Sequence, residues 1–153
     1  MSDTLKKTLE DDLHTAMRAR DRVRVGTLRM ALTAITNEEV SGETARVLTD
    51  VEVMKVLGKE AKKRRESAAA YELAQRPALV AQEVAELAVL EGYLPTQLGD
   101  DAIARTVEEV IAATGAIGMP QLGMVMKAVQ AQLAGQADGG RVAAIVKAKL
   151  TGK

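Results

Sequence analysis

Residues 49–77, TDVEVMKVLGKEAKKRRESAAAYELAQRP, decide the fold because they predict one long helix that ends just before a proline. Thr49-Asp50-Val51-Glu52 forms a capping-box pattern, in which the Thr hydroxyl and the Glu carboxylate satisfy free backbone amides at a helix start. Apolar residues then recur every three or four positions to about Gln75, and Arg64 falls inside the same stripe. Pro77 suits the first turn of the next helix. The apolar stripe consists of Met54, Leu57, Ala61, Ala68 and Tyr71.

Helical spacing continues on both sides of this stretch. Upstream, a first helix is predicted after an N-cap at Ser2 or Asp3, ending near Asp21, and a second helix follows almost at once. Downstream, the helix that starts at Pro77 runs up to Tyr93-Leu94-Pro95. The apolar residues of these three helices are Leu5, Leu9, Leu13, Ala16 and Met17, then Val25, Leu28, Leu32 and Ile35, and finally Val80, Val84, Leu87 and Leu90.

Beyond Pro95 the character of the sequence changes, because charge density falls and glycines become frequent. Three short helices are predicted there, one after Asp100, one after Pro120 and one from Asp138. The predicted fold is all-α. An N-terminal helical domain, residues 1–94, contains a long helical hairpin, and a C-terminal domain, residues 95–153, is a small three-helix bundle.

The composition agrees with helix packing. Tyr71 and Tyr93 are the sole aromatic residues, so Leu, Val, Ile, Met and Ala must fill the core, which favours close helix-to-helix contact. The chain has no cysteine, which excludes disulfides and thiolate metal sites. No segment resembles a targeting signal or approaches the ~20 apolar residues of a membrane span. These features predict a cytoplasmic protein without a membrane partner.

Charge is balanced overall but uneven along the chain. The formal net charge is zero, which removes the simplest argument for a nucleic-acid binder, and no DNA partner is expected. Basic residues nevertheless cluster in three segments, residues 18–29, 59–65 and 141–153. In the first of these, Arg22 and Arg29 are seven apart and share a helix face. In the second, the lysines are either ordinarily solvated or form a surface for RNA phosphates.

The carboxylates of the long hairpin have two interpretations. Glu83 and Glu86 share one helical face and could hold a cation or serve as acid and base. Salt bridges to Arg64, Arg65 or Arg76 on the preceding helix are the favoured interpretation.

The sequence contains no recognisable catalytic centre. Amide transfer needs an activated nucleophile and an oxyanion site, and the chain has neither a cysteine nor a Gly-Ser-rich nucleophile loop. A glycine-rich phosphate-binding turn is also missing. His14 is the single histidine, and a solvated or capping role is favoured over a metal-ligand role because it has no partner of its kind. No catalytic residue, cofactor or metal is therefore expected, and the chain is not expected to be an enzyme by itself.

Several short motifs occur in an order and spacing that together are informative. They are Thr27-Leu28-Arg29, Arg65-Glu66-Ser67 with Tyr71, Arg76, Glu83 with Glu86, Tyr93-Leu94-Pro95, Leu122-Gly123 with Met126-Lys127, and the helix from Val142 to Leu150. With these motifs the chain resembles YqeY proteins of the GatB/YqeY group over nearly its whole length.

This resemblance implies two all-α domains, the second similar to the tail domain of the B subunit of glutamine-dependent aspartyl/glutamyl-tRNA amidotransferase. In that enzyme the tail helps to hold the tRNA body, and catalysis belongs to parts that this chain lacks. Family membership also brings the label of carbon-nitrogen ligase with glutamine as amido-N-donor, which describes the relative's complex. The resemblance therefore implies an accessory role related to tRNA.

The tail of this chain departs from the family pattern. The family commonly has Gly-Lys-hydrophobic-Met-Lys, whereas this chain has Gly123-Met124-Val125-Met126-Lys127, so Met124 replaces one cation. Residues 136–140 read QADGG where basic residues are frequent, and Ala78 stands where an acidic residue usually precedes the leucine. The tail is therefore less basic than the resemblance would imply.

The hypothesis that unites these features is a non-catalytic adaptor that binds tRNA or a tRNA-handling protein through its basic faces. The candidate RNA-binding residues are Lys62, Lys63, Arg65, Lys127, Arg141, Lys147 and Lys149. One alternative is a protein-interaction module without RNA contact, in which Met119, Met124 and Met126 form an adaptable apolar surface. A third possibility is an amidotransferase in its own right.

Overall fold

The computed structural model describes residues 4–152, and over that range the chain is helical with no β-strand, which confirms the all-α prediction. The α-helices are α1 (Leu5–Ala19), α2 (Arg22–Glu39), α3 (Asp50–Leu73), α4 (Pro77–Glu91), α5 (Asp100–Thr114), α6 (Leu122–Leu133) and α7 (Gly139–Leu150), and a short 3-10 helix (Met119–Gln121) precedes α6. Thr4 caps α1, with its hydroxyl accepting from the Lys7 amide. The predicted caps, Ser2 and Asp3, lie outside the described residues.

The chain divides into two compact units, Met1–Leu94 and Pro95–Lys153. The first contains α1–α4, and α3 makes its most extensive contacts with α4. Its core is built from Leu9, Leu28, Ala31, Ile35, Leu48, Val53, Val56, Leu57, Ala61 and Leu90. The second contains α5–α7, and its core is built from Ile103, Val107, Val110, Ala116, Val125, Val129, Leu133, Val142, Val146 and Leu150.

The buried face of α3 differs from the predicted stripe. Val53 and Val56 are buried, whereas Met54 is half-buried, because the helix is rotated slightly from the predicted register. Met17 and Val84, which follow the apolar spacing of α1 and α4, are 45% and 50% exposed. Spacing alone shows which residues share a face, but the packing of neighbouring helices decides how much of that face is covered.

Both ends of α3 follow the local rules that the sequence indicated. The capping box is confirmed, since the Thr49 hydroxyl accepts from the Glu52 amide and the Glu52 carboxylate accepts from the Thr49 amide. These hydrogen bonds, with the pairing of Glu52 to Arg46, hold the pKa of Glu52 below its ordinary value. The helix ends at Leu73, slightly earlier than predicted, and Pro77 opens α4 as expected.

Glu39 fixes the loop between α2 and α3. Its carboxylate accepts from the Lys6 ammonium of α1 at 2.8 Å and from the Leu48 amide at 3.3 Å. Its backbone carbonyl accepts from the Arg46 amide at 2.9 Å. The hydrogen bond from Lys6 is the largest reason why the pKa of Glu39 lies below its ordinary value. Glu39, the last residue of α2, thus connects α1 and α2 to the loop that leads into α3.

In the second unit, side-chain and backbone hydrogen bonds fix the connections between helices. Asp138, where the last helix was predicted to begin, caps α7 by accepting from the Arg141 amide. The Leu98 amide donates to the Gln136 carbonyl at 2.8 Å, which ties the entry segment to the α6–α7 loop. Within residues 4–152, no single helix is long and apolar enough to cross a membrane, although the bent pair Asp100–Thr114 and Met119–Leu133 passes by length and composition.

Tyr93 packs within the first unit through its hydroxyl group. The hydroxyl donates to Asp12 Oδ2 at 2.5 Å and accepts from Arg24 Nη2 at 3.3 Å. Burial, followed by the interaction with Asp12, raises the pKa of Tyr93 to about 12. The side chain therefore links the end of the α4 segment to α1 and α2.

Replacing Tyr93 by Phe should lower the free energy of unfolding by about 0.5–1.5 kcal/mol, the usual net value of one hydrogen bond. Because folding raises the pKa of this phenol, its contribution is complete below about pH 10 and is lost as the pH rises toward the folded value. Urea denaturation followed by circular dichroism from pH 8 to pH 11 measures this. A stability difference between wild type and Tyr93→Phe that stays constant over the whole range would contradict the assignment.

Candidate nucleic-acid interface

A buried arginine organises the hairpin. Arg64 is 5% exposed, and its Nη1 donates to both the carbonyl and the Oε1 of Glu60, each at 3.1 Å. Its Nη2 lies 4.0 Å from Glu86 Oε1 on α4 and 3.5 Å from Met30 Sδ on α2. Its Nε is buried without a hydrogen-bond partner. A single guanidinium therefore contacts side chains from α2, α3 and α4.

The pairing with Arg64 changes the charge of the α3 surface. Glu60 is the single carboxylate between Glu52 and Glu66, and it is 6% exposed because its side chain turns inward. The outer side of the helix over this interval carries cations without an exposed acid between them. We call this surface the lysine face; it consists of Lys55, Lys59, Lys62 and Lys63, all exposed.

The lysine face includes two of the predicted RNA-binding residues and lies next to a third. Lys62 and Lys63 belong to it, and Lys63 also donates to Glu60 Oε2 at 2.9 Å while its side chain stays 70% exposed. Arg65 is half-buried beside them. Lys55 was not among the predicted residues. The sequence could have indicated Lys55, since it lies four residues before Lys59 and so shares a helix face with it.

The four predicted tail cations have different surroundings. Lys127 on α6 and Lys147 on α7 are exposed, and neither forms an ion pair within residues 4–152. Arg141 pairs with Asp100, with Nε donating to Oδ1 at 3.1 Å, and Lys149 pairs with Glu108 at 2.5 Å. Both pairs join α7 to α5. Two of the four tail cations therefore already have acidic partners.

The sequence also singled out three other ionisable residues, Glu83, Glu86 and His14. Glu86 lies 4.0 Å from Arg64, which confirms the predicted salt bridge for that residue, and Glu83 is half-buried on the same helix. His14 is exposed on α1, consistent with a solvated side chain. Among residues 4–152, no three His, Asp or Glu side chains are grouped so that they could hold a metal ion.

Replacing Arg64 by Ala should lower the free energy of unfolding of the first unit by about 3–5 kcal/mol, because the buried carboxylate of Glu60 then loses the guanidinium with which it is paired. Both tyrosines lie in this unit, so tyrosine fluorescence during urea denaturation reports its unfolding. Arg65→Ala is the matched control and should change stability by no more than about 0.5 kcal/mol. Equal effects of the two substitutions would show that the buried pair is not structurally important.

Comparison with known proteins finds a family match over nearly the whole chain. The YqeY family model, described as Yqey-like protein, matches residues 6–150. A curated protein from Kluyveromyces lactis, "Altered inheritance of mitochondria protein 41, mitochondrial", is 32% identical over 103 residues, which cover 65% of this chain and 55% of that protein. The chain thus matches little more than half the length of this relative. From the extent of the family match, the chain belongs to the YqeY-like family.

Proposed function

We propose that this chain is a non-catalytic adaptor that binds tRNA, or a partner that handles tRNA, through its basic faces. The observation that carries the proposal is the lysine face of α3. There, Glu60 turns inward, so Lys55 and Lys59 lie on a surface that has no exposed carboxylate between residues 53 and 65. The resemblance of the second unit to an amidotransferase tail supports the choice of tRNA as the nucleic acid.

The geometry of the lysine face suits phosphate groups. Lys55, Lys59 and Lys62 follow a spacing of four and three residues, so they lie along one side of α3 over about 10 Å. Phosphate contacts require cations at roughly matching positions and read the shape of RNA more than its sequence. The two tyrosines are half-buried, so aromatic base stacking has no strong candidate. Recognition through backbone and shape is the expected mode.

The tail would contribute through fewer residues than the sequence suggested. Lys127 and Lys147 are exposed and ready to meet a phosphate. Arg141 and Lys149 would first have to exchange Asp100 and Glu108 for RNA, although exposed pairs of this kind are weak. The lysine face therefore carries the larger part of the proposal.

Replacing Lys55 and Lys59 by Glu should weaken binding of transcribed tRNA by on the order of tenfold or more, because charge-assisted contacts are lost. The slope of log affinity against log salt should also become shallower by about 1 to 2. Filter binding at several salt concentrations measures both quantities. Arg76→Glu with Arg105→Glu is the matched control, since it makes the same charge change at exposed positions outside the face. Equal losses of affinity in both double variants would show that the effect comes from net charge and not from the lysine face.

A second pair of substitutions tests the tail. Lys127→Glu with Lys147→Glu should weaken tRNA binding by a smaller factor than the α3 variant, because two of the four predicted tail cations already pair with acids. The same filter-binding assay applies. An affinity equal to that of the wild-type chain would remove the tail from the interface and leave the lysine face as the proposed site.

Exposed apolar residues favour one alternative, a protein-interaction module. Ile117 is 89% exposed, Met119 42% and Met124 47%, whereas Met126 packs against the core of the second unit. Flexible methionines suit adaptable contacts. Affinity purification from nuclease-treated lysate separates the two functions. A partner that survives RNA digestion and is lost in Met124→Ser favours the alternative, and loss of all partners with the RNA favours the adaptor.

A further inference from the structure

An open groove lies where α1 passes into α2. It has a volume of about 430 Å³ and is lined by Arg20, Arg22, Val25, Gly26 and Arg29. Three of these five residues are arginines, none is acidic, and all three arginine side chains are exposed. We call this feature the arginine groove. It lies on different helices from the lysine face.

The acidic residue nearest in sequence is already engaged. Asp21 Oδ1 accepts from the Arg24 amide at 3.1 Å and so caps α2. Arg24 itself is not part of the lining, since its guanidinium donates to the Tyr93 hydroxyl. Within residues 4–152, neither Arg20, Arg22 nor Arg29 forms an ion pair. Their charges are therefore available to a ligand.

Two residues that line the groove are unfavourable for the local backbone conformation. Arg20 has φ 58°, in the left-handed region that residues with a Cβ seldom adopt. Gly26 lies inside α2, where alanine would favour the helix more, and a Cβ added there would meet nothing within 4 Å. No packing contact accounts for this glycine. Its effect is to leave the backbone of α2 open at the groove.

We propose that the arginine groove binds a phosphate group of an RNA backbone. The planar guanidinium presents paired donors that match phosphate oxygens, and three residues that carry this group line the same open groove. Because the groove is open to solvent, it can accept an internal phosphate of an RNA strand, which is joined to a nucleotide on each side. The inference rests on the proposed function, since RNA is the ligand, and assigns a second contact surface.

The first test removes charge from the groove in the full chain. Arg22→Gln with Arg29→Gln should weaken binding of transcribed tRNA by on the order of tenfold or more. The matched control is Arg18→Gln with Arg105→Gln, which removes the same charge from exposed arginines that do not line the groove. The control should retain affinity close to that of the wild-type chain.

The second test fills the groove without changing charge. Gly26→Leu should raise Tm, because leucine favours a helix more than glycine does and its Cβ meets no atom within 4 Å. The same substitution should weaken tRNA binding by about tenfold, because its side chain occupies the place of the phosphate. A variant that is more stable and binds less tightly cannot owe its weaker binding to unfolding.

The outcomes separate this inference from the proposed function. If the wild-type chain binds tRNA and the groove variants bind equally well, the groove inference is overturned while the lysine face stands. If Arg22→Gln with Arg29→Gln lowers Tm and affinity but Gly26→Leu leaves affinity unchanged, the arginines act through stability alone, and the inference is again overturned. If the wild-type chain does not bind tRNA, the groove inference falls together with direct RNA binding by the lysine face.

Discussion

The buried guanidinium of Arg64 is the constraint on which the first unit depends. A charge removed from water must be paired, and here Glu60 on the same helix and Glu86 on the next one surround it. The requirement fixes how α3 and α4 face each other. It also takes the single central carboxylate of α3 away from solvent. The same buried pair thus shapes the core of the hairpin and leaves a cationic outer face.

This effect explains how a chain with zero net charge presents basic surfaces. In the first unit, acids are used for internal contacts: Glu60 pairs with Arg64, Asp21 caps α2, and Asp12 accepts from Tyr93. Cations on α2 and α3 then remain at the surface. Net charge counts residues, whereas a ligand meets the local arrangement. The zero net charge therefore does not describe the local surfaces of α2 and α3.

The two units use different means to hold their helices. The first combines aliphatic packing with polar contacts over long sequence distances, such as Lys6 to Glu39 and Tyr93 to Asp12. The second has a core rich in valine, a stiff side chain that packs in few arrangements. Its basic residues on α7 are partly neutralised by acids of α5. The larger clusters of exposed cations consequently lie in the first unit.

The sequence by itself determined the all-α class, the capping box at Thr49, the proline start of α4 and the start of the last helix near Asp138, because these follow from contacts between residues close in the chain. The tertiary structure decided the rest. It set the rotation that buries Val53 in place of Met54 and turned Glu60 inward, and it paired Arg141 with Asp100, 41 residues away. Such features depend on which helices meet and at what rotation, and spacing along one helix does not contain that information.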